Sequence, residues 1–229
     1  MHNYAFHRIT AAPRRWQVVA ERMRFAPEFS RSGGCLYGLW RSQIGRPRDE
    51  LSAITFWSAG CETGQAEAAL VEAMGSDHDV TGLTTEMMTP TLRPETDDPP
   101  VRQGNYAFRW FVTPAPDWEE FLSLCADAWP GFESAYDSQV IGLWRLSGER
   151  TGGAVDEASG AGIFGGIRSL LLTRRPDLAM WERSKLPQGA AEAKVRDTLS
   201  RRYDLCDWTA VHTTTLLTAH DTEDTARWT

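Results

Sequence analysis

The sequence predicts an α+β protein built from two similar βαββαβ halves whose antiparallel sheets pack face to face, and three observations carry that prediction. The tetrapeptide GLWR occurs at Gly38–Arg41 and again at Gly142–Arg145, 104 residues on. Tyr4-Ala5-Phe6 returns as Tyr106-Ala107-Phe108, at an offset of 102. Trp16 in AAPRRWQVVAE returns as Trp118 in PAPDWEEFLSL, again 102 apart. Matches that keep their order while the spacing drifts slowly read as a tandem duplication.

Each element of the first half follows from local pattern. YAFHRIT is a short strand of aromatic and branched residues, closed by Ala11-Ala12-Pro13. A helix from about Pro13 to Met23 is predicted by Trp16, Val19, Ala20 and Met23, whose spacing lays one apolar stripe on a sheet. After the Ser32-Gly33-Gly34 turn, CLYGLWRSQ alternates as a strand, stops at Ile44-Gly45-Arg46-Pro47 and pairs as a hairpin with LSAITFWS. ETGQAEAALVEAM is helical by its Ala and Glu content and ends near Gly75, and TTEMMTPTL closes the unit as a strand. This order is the ferredoxin-like split βαβ arrangement.

The second half repeats the order. YAFRWFVT, SQVIGLWRLS, IRSLLLTRR and WTAVHTTTLLT read as strands, and PDWEEFLSLCADAW, DLAMWERSK and AEAKVRDTLSRRY as helices. Insertions lengthen it after GLWR and in its second helical region. RPETDDPPVRQGN, between the halves, holds prolines and charges with little apolar material and reads as an extended connection. The organisation is therefore a first half at 1–94, a linker at 95–105, a second half at 106–220 with a Gly-rich insertion near 148–166, and a polar tail at 221–229. Strands apolar in both phases, such as Leu170-Leu171-Leu172 and Ala53-Ile54-Thr55-Phe56, fit burial on both faces. Helices cover one face of such a sheet, and the matching face of the other half is the natural partner for the second.

Composition narrows the function classes. A chain of 229 residues suits one large domain or two of about 100 residues each. Its net charge of −7 disfavours nucleic acid and anionic membrane surfaces, both of which are bound chiefly through Lys and Arg. No apolar run approaches the ~20 residues that span a bilayer, and the N-terminus lacks the apolar core of a signal peptide. Cys35, Cys61, Cys125 and Cys206 form no CxxC pair, which argues against structural zinc and for reduced thiols in the cytoplasm.

The segments YAFHRIT, GLWRSQIGRPRDELSAITFW and TEMMTPTLRP together resemble the NIPSNAP family of the dimeric α+β barrel superfamily, with Gly45, Pro47 and Trp57 where that pattern has its Gly-x-Pro turn and aromatic-ended strand. LLLTRRPDLAMWERS is similar to the strand-to-helix passage of NIPSNAP and EthD-like relatives. The resemblance implies a pseudo-dimeric barrel formed by one polypeptide, as a monomer or homodimer. The superfamily holds cofactor-free monooxygenases, haem-binding enzymes, isomerases and proteins of unknown activity, so the fold alone selects no chemistry. Some tandem barrels of the superfamily bind haem through a histidine of the second half, which makes His212 and His220 the residues to consider for haem. No cofactor or metal is otherwise expected.

Several motifs carry less than they promise. Gly160–Gly165 satisfies G-x-G-x-x-G, but it follows a polar stretch and precedes a strand, the reverse of a dinucleotide-binding turn. It reads as a flexible loop or as a lid over the barrel mouth. No GxSxG elbow, Cys/His pairing or HExxH supports hydrolysis. Trp40-Arg41 and Trp144-Arg145 must point to opposite faces, with the tryptophans expected under the helices and the arginines at the rim. Arg174-Arg175, ahead of Pro176, could attract an anion, but near a helix start the pair reads as solvated.

His7 and Arg109 share one strand position at the 102-residue offset, and His212 stands ahead of three threonines in the last strand. Tyr4, His7, Tyr37, Arg109 and His212 are thus the candidate ligand-binding residues. Two readings stay open: a small-molecule-binding protein or cofactor-independent oxygenase or isomerase, and a structural or interaction protein whose barrel is packed solid.

Overall fold

A computed structural model describes residues 3–57, 60–75, 78–151 and 165–220, with the side chains of 149–151 left aside. The first half runs β1 (Asn3–Ala11), α1 (Trp16–Arg24), α2 (Glu28–Arg31), β2 (Gly34–Ile44), β3 (Glu50–Trp57), α3 (Thr63–Met74) and β4 (Val80–Arg93). The second runs β5 (Asn105–Thr113), α4 (Trp118–Tyr136), β6 (Gln139–Thr151), β7 (Ile167–Arg175), α5 (Leu178–Arg183), α6 (Ala190–Asp204) and β8 (Trp208–Leu216). The one-turn α2 has no counterpart in the sequence reading, and α4 runs through Pro130 to Tyr136, well past the predicted end. The G-x-G-x-x-G stretch falls almost wholly outside the described residues.

The strands close into an antiparallel barrel in the order β1-β3-β2-β8-β5-β7-β6-β4. Within each half the order is the same: β4-β1-β3-β2 in the first and β8-β5-β7-β6 in the second. Two seams join them, β2 to β8 and β4 to β6. The sheets therefore do more than stack. Their edge strands exchange backbone hydrogen bonds, which leaves no open sheet edge.

Alternation along each strand sorts side chains between two environments. Ala5 and Ile9 of β1 face outward and pack with Trp16, Val19, Ala20 and Met23 of α1 and with Ala66, Ala69, Leu70 and Ala73 of α3. Phe111, Leu143 and Leu171 do the same beneath α4, against Phe121, Cys125, Trp129 and Phe132. Tyr4, Phe6, Tyr37, Trp40, Tyr106, Phe108, Trp110 and Trp144 face inward and meet in the lumen. Trp40 and Phe108 stand edge to face at 5.2 Å, Phe6 lies 5.6 Å from Trp110, and Tyr4 lies 5.6 Å from Trp144. Contacts of this kind add about 0.5–1.5 kcal/mol each beyond area burial.

The GLWR motif is part of this filling and corrects the expected placement of its tryptophans. Trp40 and Trp144 are fully buried in the lumen, while Arg41 lies 4.2 Å over the Trp16 ring beneath the helices. Each glycine stands two residues before its tryptophan on the same strand face, and a Cβ on Gly38 or Gly142 would fall within the indole of Trp40 or Trp144.

Candidate functional site

Strand register matches positions of the two halves. Asn3 stands opposite Trp57 and Asn105 opposite Arg175; His7 stands opposite Ala53 and Arg109 opposite Leu171. His7, Thr55 and Trp57 therefore occupy in the first half the places of Arg109, Thr173 and Arg175 in the second. All six lie on the outward, helix-covered face.

In the first half these places are closed. His7 is fully buried, with ring nitrogens 2.9 Å from Thr85 Oγ1 and 2.8 Å from Thr55 Oγ1. Trp57 Nε1 donates to the same Thr55 hydroxyl at 2.7 Å. Burial pushes the His7 pKa down to about 3, so the ring is neutral at physiological pH.

In the second half the same places open into a pocket of about 250 Å³ between the sheet and helices α4–α6. The sheet supplies Arg109 and Arg175, α4 supplies Phe132 and Tyr136, α5 supplies Trp181, and α6 supplies Val195, Arg196, Leu199 and Tyr203. Helix spacing explains the last group, since residues three and four apart share a face. Trp181 sits on the helical turn opened by Asp177, whose carboxylate caps it by accepting from the Met180 N–H at 2.7 Å.

The electrostatics are one-sided. The Arg109 guanidinium lies 5.2 Å from the Tyr203 ring and 5.8 Å from that of Trp181. Arg175 lies 4.5 Å over Trp181 and 4.9 Å over Phe132. Arg202 is buried just behind, over Phe111 and Tyr203 at 4.9 and 4.8 Å. Burial pulls the Arg109 pKa down, and Arg202 and Arg196 add to the effect. Burial and the Arg109 charge push Arg175 down to about 10, which still leaves it protonated. Burial alone would raise the Tyr203 phenol, but Arg202, Arg109 and Arg175 together outweigh it and hold the phenol below its ordinary value.

Of the five candidates named from sequence, Arg109 alone lines this pocket. His7 is on the far side of the molecule, under the first-half helices. Tyr4 and Tyr37 meet in the lumen at 5.5 Å, with the Tyr4 hydroxyl donating to Asp97 of the interdomain connection at 2.6 Å. His212 also points into the lumen and stacks on Phe108 and Trp110 at 5.3 and 5.0 Å. The lumen is thus a packed core and the cavity lies outside it. Trp181, Tyr203 and Arg202 carry no sequence motif that marks a site. Arg175 is not solvated, because it shares the phase of Leu171 and Thr173 on the covered face, and its neighbour Arg174 turns inward to donate to the Gln103 carbonyl at 2.6 Å.

Two wider surface depressions lack a cluster of cations among the described residues; one of about 540 Å³ has Glu62 as the charged residue of its lining. The one at the barrel end, about 380 Å³, is lined by Arg93 and Arg102 together with Glu95 and Asp98. Among the described residues no group of three or more His, Cys, Asp or Glu side chains could hold a metal ion. Neither histidine considered for haem fits such a role at the pocket: His212 is stacked in the lumen, and His220 is exposed after the last strand. The pocket's cations would suit a ligand's carboxylates, but its lining offers no axial nitrogen or sulfur ligand.

Comparison with known proteins shows the fold. No protein-family model matches the chain, and no curated protein matches its sequence. Among solved structures it is similar to an anthrone oxidase-like protein, at 12% identity and a TM-score of 0.59 over 94% of this chain and 91% of the other. A presumed monooxygenase from Lactobacillus acidophilus NCFM matches at 9% identity and a TM-score of 0.55, covering 94% and 93%. A chlorite dismutase mutant from Candidatus Nitrospira defluvii, solved with cyanide, matches at 10% identity and a TM-score of 0.55, covering 94% and 90%. The likeness shows a shared fold, an α+β barrel. No described helix is long and apolar enough to cross a membrane.

Proposed function

We propose that this chain binds a small aromatic molecule in the second-half pocket and acts on it as an oxygenase or isomerase without a bound cofactor. The carrying observation is the placement of Arg109 and Arg175 on aromatic walls, with the Tyr203 ring against the guanidiniums of Arg109 and Arg202. Both reaction types begin when the substrate loses a proton and becomes an anion. Guanidiniums fixed in a desolvated site stabilise such charge without reorganising as it forms. Tyr203 would take the proton in its ionised form, which the charges of Arg202, Arg109 and Arg175 favour. The oxidase and monooxygenase names among the fold neighbours support the oxygenase branch.

The same reading includes an origin by tandem duplication from a NIPSNAP- or EthD-like half, supported by the shared strand order, and a cytoplasmic location, supported by four free cysteines. The barrel closes within one chain, so a monomer can be the working unit. The filled lumen favours the alternative of a structural protein, and the charged pocket is what speaks against it. Dioxygen uptake with anthrone, simpler phenols and hydroxylated aryl carboxylates tests the proposal. Substrate-dependent uptake is expected, reduced about a hundredfold in Tyr203→Phe. Absence of both turnover and binding across such a panel would leave the structural reading.

A further inference from the structure

We infer that the pocket's ligand is an aryl carboxylate, its carboxylate clamped by Arg109 and Arg175 and its ring laid against Trp181 and Tyr203. This deepens the reading of the pocket as a ligand site and rests on it. The argument starts from how the chain treats its other arginines. Arg168 pairs with Glu86, Arg8 with Glu50 at 2.8 Å, Arg93 with Glu133 at 2.6 Å, and Arg15 and Arg22 both with Asp79 at 2.6 Å. At the pocket that habit breaks. Its described lining contains Arg109, Arg175, Arg196 and Lys185 and no Asp or Glu.

The nearby carboxylates are taken by other partners: Glu192 accepts from Arg183 and the Gln188 N–H at 2.7 Å and from the Tyr136 hydroxyl at 3.4 Å, and Glu182 accepts from Lys185 at 2.7 Å, which leaves Arg109 and Arg175 without one. Arg175 Nε is buried with no hydrogen-bond acceptor, and the Nη1 contact with Thr173 Oγ1 is a long 3.4 Å. Arg109 rests on rings alone. A buried guanidinium without a counter-charge is costly, and two that also repel each other are more so. An anion that accepts from both forks removes the cost, and carboxylate geometry matches the fork. The aromatic walls specify what the carboxylate is attached to, since a ring can stack on Trp181 where the cations already do. At about 250 Å³ the cavity lies just below the range of about 300–1,000 Å³ usual for drug-sized ligands, so one or two rings fit it. In a chain of net charge −7, this local positive field also sets the pocket apart from the surface around it.

Calorimetric titration with 2-naphthoate, 2-naphthamide and 2-naphthol tests the inference. Naphthoate is expected to bind about tenfold or more tighter than the neutral amide, to weaken as salt rises, and to lose about tenfold or more in Arg109→Gln and in Arg175→Gln. Both variants should melt at or above the parent temperature, because each removes a charge without a counter-ion. If either variant misfolds, Arg175→Lys, which keeps the charge but not the fork, should still weaken naphthoate. Amide binding as tight as acid, or acid binding unchanged in the variants, overturns the inference. Naphthol and amide binding in the absence of acid binding would overturn it while leaving the pocket as an aromatic site.

Discussion

At the scale of single residues, the two halves differ most where they correspond. One strand position holds a neutral histidine tied to two threonines in the first half and a ring-stacked arginine in the second. The 102-residue offset made that pair visible in the sequence. Which face of the sheet it occupies was not visible, because strands apolar in both phases leave the direction of each side chain undetermined. The sequence therefore leaves open whether His7 and Arg109 face the lumen or the helices, and whether Arg175 is solvated or covered. The buried histidine has a pH signature. The unfolded chain takes up a proton near the ordinary value of 6.5, whereas the native ring resists until about 3. Protons therefore favour the unfolded state in that window, and stability falls as the pH falls through it, by at most about 1.4 kcal/mol per pH unit from this group. Urea unfolding of the parent and of His7→Asn at pH 7 and pH 4.5 should show the smaller acid-induced loss in the variant. Equal losses would mean that the native ring titrates normally.

At the scale of elements, the order of strands and helices could be read from hydrophobic spacing, and the boundaries less well. The first helix starts at Trp16 rather than Pro13, since Arg14 adopts a φ of +66°, outside the helical region. The short α2 has too few residues to show a period. GLWR was legible as a repeat but not as packing: the glycine is needed because the following tryptophan's indole lies over it. Gly38→Ala and Gly142→Ala should each destabilise by about 1–3 kcal/mol through overpacking. Gly64→Ala, in α3 with open space at the Cβ, should be neutral or stabilising by up to about 1 kcal/mol. Thermal melts of the three variants measure both effects, and equal shifts would contradict the packing account. The pocket itself depends on an element-level difference, since β7 is followed by two helices where β3 is followed by one.

At the scale of the molecule, the apolar pattern gives two sheets packed face to face, and the family resemblance adds the barrel that the structure has. A stack and a closed ring bury the same apolar faces, and apolar pattern cannot distinguish them. The β2–β8 and β4–β6 seams do, because they are backbone contacts. These seams predict that the connection between the halves is dispensable once folding is complete. A protease site placed after Asp98 and cleaved in the folded protein should leave both fragments eluting as one particle on size exclusion. Separation of the fragments without denaturant would show that the seams and lumen do not suffice. The filled position under the first-half helices has a last consequence, in stoichiometry. A barrel assembled from two identical single halves would offer two equivalent cavities that could influence each other. Here Trp57 and the His7–Thr55–Thr85 cluster occupy one of the two, so saturation should come at one ligand per chain, along a hyperbolic curve with no cooperativity within the barrel.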